Sequence, residues 1–133
     1  MALYSVVVPV YNSEQTLNEL YSRLEKVFRE EIQQPFELIL VDDGSKDHSF
    51  QVMTELRKKD HRVKIIQMAR NFGQHPALLC GFSHAAGDFI VTMDDDLQHP
   101  PEELPKMIKV MNERDDVDVI IASYEGRKHN PIR

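Results

Sequence analysis

Five short runs rich in valine and isoleucine recur along the chain, at Tyr4–Val10, Phe36–Val41, Val63–Met68, Asp88–Met93 and Val117–Ala122, with helical patterns between them. Their apolarity is nearly continuous rather than alternating, which suits strands covered on both faces. Leu17, Leu20, Tyr21, Leu24, Val27 and Phe28 form one helical stripe, expected to be capped by Asn12 or Ser13 and to stop before Pro35. Val52, Met53 and Leu56 predict a shorter helix, and Ala77–Ala86 another with Gly87 as its C-terminal stop. Leu104, Met107, Ile108 and Met111 predict one more, entered through Pro100-Pro101. The order βαβαβαβαβ admits few architectures. It predicts an α/β fold: a Rossmann-like, mainly parallel sheet with helices on both faces.

With 133 residues and 41% hydrophobic content, the chain can bury one core of ordinary size. No repeat, low-complexity segment or linker divides it, so residues 1–133 read as one unit. No apolar stretch approaches the roughly 20 residues of a membrane helix, and the N-terminus lacks a signal-peptide pattern. The expected location is cytoplasmic. Cys80 is the sole cysteine and lies in an apolar helical stretch, where a buried structural thiol is the expectation. A formal charge of -6, from 22 acids against 16 basic residues, argues against a nucleic-acid groove. An anionic substrate would need a metal or local cations to approach such a surface.

In open parallel sheets, ligands bind outside the carboxyl ends of the strands. The polar signals fall there. The first strand runs into Pro9-Val10-Tyr11-Asn12, the second into Asp42-Asp43-Gly44-Ser45 and the fourth into Asp94-Asp95-Asp96. Clustered carboxylates repel one another unless solvent, protons or a cation offset the charge. A hard ion such as Mg²⁺ or Mn²⁺, bound through oxygen and shared with substrate phosphates, resolves that conflict, and Asp94 and Asp96 can converge where the strand ends. The alternative for the triplet alone is a solvated turn capping the next helix. Its alignment with Tyr11 and Asp43 favours the metal reading. Turn geometry and capping account for Gly44 and Ser45 but not for Asp43, whose carboxylate suits the imino hydrogen of uracil or guanine, with Tyr11 as a stacking face.

A phosphorelay receiver domain is also a small α/β unit with an acidic magnesium pocket. Its acidic pair should end the first strand and its phospho-accepting Asp the third, whereas here the acids follow strands two and four. A catalytically silent nucleotide-binding module remains a second alternative.

The segments Val6-Val7-Val8-Pro9-Val10-Tyr11-Asn12, Val41-Asp42-Asp43-Gly44-Ser45, Arg70-Asn71-Phe72-Gly73-Gln74 and Met93 through Glu103 together resemble the family 2 glycosyltransferases. The Asn-Phe-Gly and Asp-Leu-Gln-x-Pro-Pro-Glu portions are most similar to the polyprenyl-phosphate branch. That resemblance implies a GT-A fold, of which this chain would be the N-terminal nucleotide-binding part only. It also implies a UDP- or GDP-sugar donor, inversion at the anomeric carbon, and a polyprenyl phosphate or glycan acceptor.

Carried onto this sequence, the family's nucleotide contacts fall on Pro9, Tyr11, Asp43, Asp94 and Asp95, and its Asp-x-Asp metal motif on Asp94 and Asp96, with Gln98 as a further ligand. Asp95 stands where that branch commonly has alanine, and Ser13 where it usually has glutamate. Arg70 is placed to reach a pyrophosphate or to sit exposed at a helix entry. The chain reads as truncated after its fifth strand, with acceptor contacts and any membrane attachment in missing C-terminal segments. Arg127 and Lys128 resemble a basic segment that lies near phosphates in relatives, or belong to a surface loop. Among the histidines, His99 stands beside the triplet. His75 and His84 are expected to cap or pack, and His48, His61 and His129 to face solvent.

Overall fold

The computed structural model describes residues 1–113 and the backbone of residues 119–122; Arg127, Lys128 and His129 lie outside the described residues. Strands β1 (Tyr4–Val10), β2 (Phe36–Asp42), β3 (Val63–Gln67), β4 (Phe89–Met93) and β5 (Val119–Ala122) form one sheet in the order β3-β2-β1-β4-β5. Every pairing among them is parallel. Helices α1 (Leu17–Val27), α2 (Ser49–Lys59), α3 (Gln74–Ser83) and α4 (Leu104–Asn112) connect them.

β1 and β2 are buried along their whole lengths, which is why their sequences do not alternate. On one face, Tyr4, Val6, Val8 and Val10 of β1 join a core completed by Leu20 and Leu24 of α1, Met53 of α2 and Leu104 of α4. On the other, Val7, Ile39 and Val41 pack against Ala77 of α3, with Cys80 partly buried at its edge. Each fully buried leucine or valine contributes about 1.5–3 kcal/mol, so the central strands are the rigid part on which the edge loops are mounted. Among the described residues, no helix is long and apolar enough to cross a membrane.

Helix boundaries depart from the sequence expectation for identifiable reasons. α1 begins at Leu17 behind Thr16, and neither Asn12 nor Ser13 caps it. Both are engaged elsewhere: the Asn12 side-chain carbonyl accepts from the Lys46 N–H at 2.8 Å, and the Ser13 hydroxyl donates to Asp95. At its other end, α1 runs into a π-helical turn, Phe28–Ile32, closed by Gln33 in the left-handed region at φ 57° before Pro35 is reached. α3 ends at Ser83, so Gly87 is not its stop. Gly87 instead lies against β1, where an added Cβ would stand 2.5 Å from Ser5 Oγ.

That contact belongs to a polar clamp across three strands, in which Ser5 and Glu37 are buried and Lys64 is exposed. Glu37 accepts from the Ser5 hydroxyl at 2.5 Å and the Ala86 N–H at 2.7 Å, and pairs with Lys64 Nζ at 2.6 Å. Burial alone pushes the Glu37 carboxyl up, but the Lys64 ammonium, the Ser5 hydroxyl and the Ala86 N–H outweigh it and hold the group below its ordinary value. A carboxyl depressed on folding adds stability that is fully present above its unfolded value and is lost as pH falls through the folded one. Urea unfolding from pH 7 down to pH 3 is expected to show stability falling below the ordinary glutamate range. Glu37→Gln should lower stability at pH 7 and flatten part of that decline; an unchanged pH profile in the variant would remove Glu37 from this role.

Candidate functional site

At the end of β2, consecutive residues divide the work of shaping one loop. Asp42 Oδ1 accepts from the Ser45 N–H at 3.2 Å, closing the turn. Asp43 is fully buried, and its two oxygens accept from the Phe72 N–H at 2.8 Å and the Gly73 N–H at 3.0 Å. Gly44 adopts φ 76°, and a Cβ there would stand 2.4 Å from the Asn71 nitrogen. Only glycine tolerates both the dihedral and the approach. The carboxylate expected to meet a base therefore holds the Arg70–Gly73 segment, over which the Arg70 guanidinium lies 4.9 Å from the Phe72 ring centre.

β1 ends in Pro9-Val10, with Pro9 buried and paired with Val41, and the half-buried Tyr11 follows. Asn12 turns left-handed at φ 52°, donating its N–H to Ser45 Oγ at 2.9 Å while its side chain takes the Lys46 N–H. The Tyr11 N–H goes the other way, to Asp95 Oδ2 at 2.9 Å.

The triplet after β4 is not three equivalent acids. Asp94 Oδ1 accepts from Gln74 Nε2 at 3.0 Å, and so meets the first residue of α3. Asp95 bonds the β1–α1 segment, through Tyr11, the Ser13 hydroxyl, and a main-chain oxygen that takes the Thr16 hydroxyl at 2.6 Å. Asp96 Oδ1 accepts from the Gln98 N–H at 3.1 Å, a closure made possible by Leu97 at φ 62°. The left-handed region costs a leucine about 1–2 kcal/mol, and burial of its side chain against the large core offsets that cost. His99 has its Nε2 buried, with no hydrogen-bond partner among the described residues.

These contacts close into a ring around the carboxyl edge: Asn12 to Ser45 and Lys46, Asp43 to Phe72 and Gly73, Gln74 to Asp94, and Asp95 back to Tyr11. All four sequence motifs meet there. Two spaces flank the ring. One, of about 260 Å³, is lined by Asn12, Glu14, Thr16, Asp47 and Asp96; the other, of about 520 Å³, by Asp42, Ser45, Lys46, Arg70 and Asn71. A further cavity of about 490 Å³ lies at the opposite edge, beside Tyr4, Ile32, Phe89 and Ile108, away from the motifs. Thr16, Lys46 and the Gln74 amide received no role from the sequence; Gln74 stands inside a sequence motif, and Thr16 and Lys46 only near one.

The donor set at the end of β4 is all carboxylate and amide oxygen, the chemistry that suits Mg²⁺ or Mn²⁺. Among the described residues, no group of three His, Cys, Asp or Glu side chains is arranged to hold an ion. Two carboxylates completed by substrate phosphate oxygens are what such an ion commonly takes.

Comparison with known proteins shows the family and the fold. The model of "Glycosyl transferase family 2" matches residues 5–132. The chain is 46% identical over 114 residues to the undecaprenyl-phosphate 4-deoxy-4-formamido-L-arabinose transferase of Proteus mirabilis (strain HI4320), a match covering 85% of this chain and 35% of that protein. Among solved structures it is similar to S. aureus TarS 1-349 in complex with UDP-GlcNAc, with 27% identity and a TM-score of 0.64 over 83% of this chain and 31% of that one. It shares its fold with the mannosyltransferase PcManGT of Pyrobaculum calidifontis, solved with GDP-Man and Mn²⁺, at 21% identity and a TM-score of 0.68 over 80% and 31% of the two chains. The fold is thus GT-A, as expected.

Asp43→Asn leaves one of two buried N–H groups facing an amide NH₂. It is expected to cost roughly 1–3 kcal/mol in urea unfolding and to speed hydrogen exchange at Phe72 and Gly73. Unchanged exchange at those two amides would contradict the loop-holding role.

Proposed function

The chain belongs to glycosyl transferase family 2, and from that premise we propose that it carries the donor-binding half of an inverting glycosyltransferase. The protein moves a sugar from a UDP- or GDP-sugar to polyprenyl phosphate. The observation that carries this reading is the hydrogen-bonded ring that joins Tyr11, Asp43, the Arg70–Gly73 segment and the aspartate triplet at one edge of the sheet. The Proteus mirabilis relative, named for undecaprenyl phosphate, supports the acceptor class, and TarS with UDP-GlcNAc supports a nucleotide-sugar donor. The chain spans 35% of that curated relative's length, so the activity described is that of a whole protein.

Asp94 and Asp96, with Gln98, would hold Mg²⁺ or Mn²⁺, which supplies positive charge against the departing nucleoside diphosphate. The chain's own residues do the rest. Pro9 sets the end of β1 so that the Tyr11 ring offers a face to the base, and Asp43 holds the loop that borders the nucleoside. Lys46 and Arg70 line the adjoining groove and bring local positive charge to a chain of net charge -6. A phosphate acceptor has a second pKa of about 6, so its attacking oxygen is largely ionised near neutrality. Such chemistry needs in-line positioning rather than a general base.

Calorimetric titration of UDP and of GDP into the 133-residue chain, with and without Mn²⁺, is expected to show binding of one nucleotide that strengthens with the metal. Asp94→Asn combined with Asp96→Asn should remove that metal-dependent increment. Binding of neither nucleotide by folded protein would refute the reading, and metal dependence that survived both substitutions would refute the assignment of those two residues.

A further inference from the structure

The middle acid of the triplet is turned to a different task from its neighbours. A single oxygen, Asp95 Oδ2, accepts both the Tyr11 N–H at 2.9 Å and the Ser13 hydroxyl. Ser13 Oγ also stands 3.1 Å from the Tyr11 carbonyl oxygen. Tyr11, Ser13 and Asp95 thus form a three-residue knot. The Asp95 main-chain oxygen fastens the same segment a second time, through the Thr16 hydroxyl at 2.6 Å. Tyr11 lies one residue past the end of β1, directly after Val10, whose oxygen accepts the Asp43 N–H at 2.8 Å. A charged acceptor makes the stronger hydrogen bonds, so Asp95 is the anchor of this backbone on the β4 side, while the Asn12 N–H to Ser45 Oγ at 2.9 Å, the Ser13 N–H to Ser49 Oγ at 2.7 Å and the Glu14 N–H to Asp47 Oδ2 at 3.2 Å tie the following residues to the β2 side.

We infer that Asp95 is a positioning residue: acting through Tyr11 and Ser13, it holds the β1–α1 segment against the end of β4 and fixes where the Tyr11 ring stands. The inference rests on the reading of this edge as a nucleotide site. It assigns Asp95 a role apart from holding the metal and apart from direct contact with the nucleotide, the role its place in the sequence implied.

The chemistry of the knot supplies the discriminating substitution. Both hydrogen bonds enter one oxygen, so an asparagine whose amide oxygen takes that place keeps both. Alanine loses both. Asp95→Ala is expected to weaken UDP or GDP binding about tenfold, Asp95→Asn by no more than about threefold. Ser13→Ala should fall between them, and the double variant Ser13→Ala with Asp95→Ala should bind no worse than Asp95→Ala alone, as expected for groups acting as one unit. The Mn²⁺-dependent increment should survive in every variant. Equal losses in the alanine and asparagine variants, or disappearance of the metal increment in either, would overturn the inference in favour of direct ligation.

A ligand-free readout separates this from failure of the functional reading. By NMR hydrogen exchange of the 133-residue chain alone, the Tyr11 amide should lose protection in Asp95→Ala and keep it in Asp95→Asn. If the alanine variant does not fold, Ser13→Ala and Asp95→Asn carry the same comparison. Tyr11 protection that is lost in Asp95→Asn, or unmoved in Asp95→Ala, overturns the positioning role even where no nucleotide binds.

Discussion

Everything at the carboxyl edge follows from β1 lying between β2 and β4. The chain steps outward from β1 through β2 to β3, then returns by α3 to lay β4 on the other flank of β1. Strand order reverses there, and at such a point the loops after neighbouring strands diverge and leave a crevice. The Asp-Asp-Gly-Ser turn and the aspartate triplet, 50 or so residues apart in sequence, are thereby set on either side of Tyr11. α3 completes the arrangement because it starts at the same edge. Its first residue meets Asp94, and the residues just before it meet Asp43.

Hydrogen bonds rather than apolar burial then fix the edge. The motifs bond to one another more than to their own neighbours in sequence, so each loop's conformation depends on the others. Two of the non-glycine residues in the left-handed region stand at this edge, Asn12 in the ring and Leu97 in the turn that follows the triplet. Backbone strain of that kind persists only where surroundings over-determine it, and it tends to gather at functional sites. Leu97 is held by its partly buried side chain, packed against the core, and Asn12 by hydrogen bonds to the β2 turn.

The strands were legible in the sequence because a strand buried on both faces must be apolar throughout. β1 was read at both ends, Tyr4 to Val10. The helix starts were less legible, for a physical reason. Asn12 and Ser13 have the chemistry of caps, but their partners lie 34 and 82 residues away, and a long-range bond can outbid a local one. Gly87 likewise looked like a helix stop and is instead a place where two backbones approach. At the site, the residues that meet were visible as motifs, while the partners each one takes were not. Nothing in the string Asp-Asp-Asp distinguishes the acid that meets α3 from the one that meets β1, because that difference arises from which loop lies on which side of the turn.

In the proposed function, Asp94 and Asp96 at the end of β4 form the cation-binding point of a nucleotide site built around Tyr11. Paramagnetic broadening of backbone amide resonances by trace Mn²⁺ in the presence of UDP or GDP tests it most directly, because the effect falls steeply with distance from the ion. The account predicts strongest broadening at residues 94–98, extending to Tyr11, and dependent on the nucleotide. Broadening centred instead on Glu14 and Asp47, or equally strong without nucleotide, would contradict it.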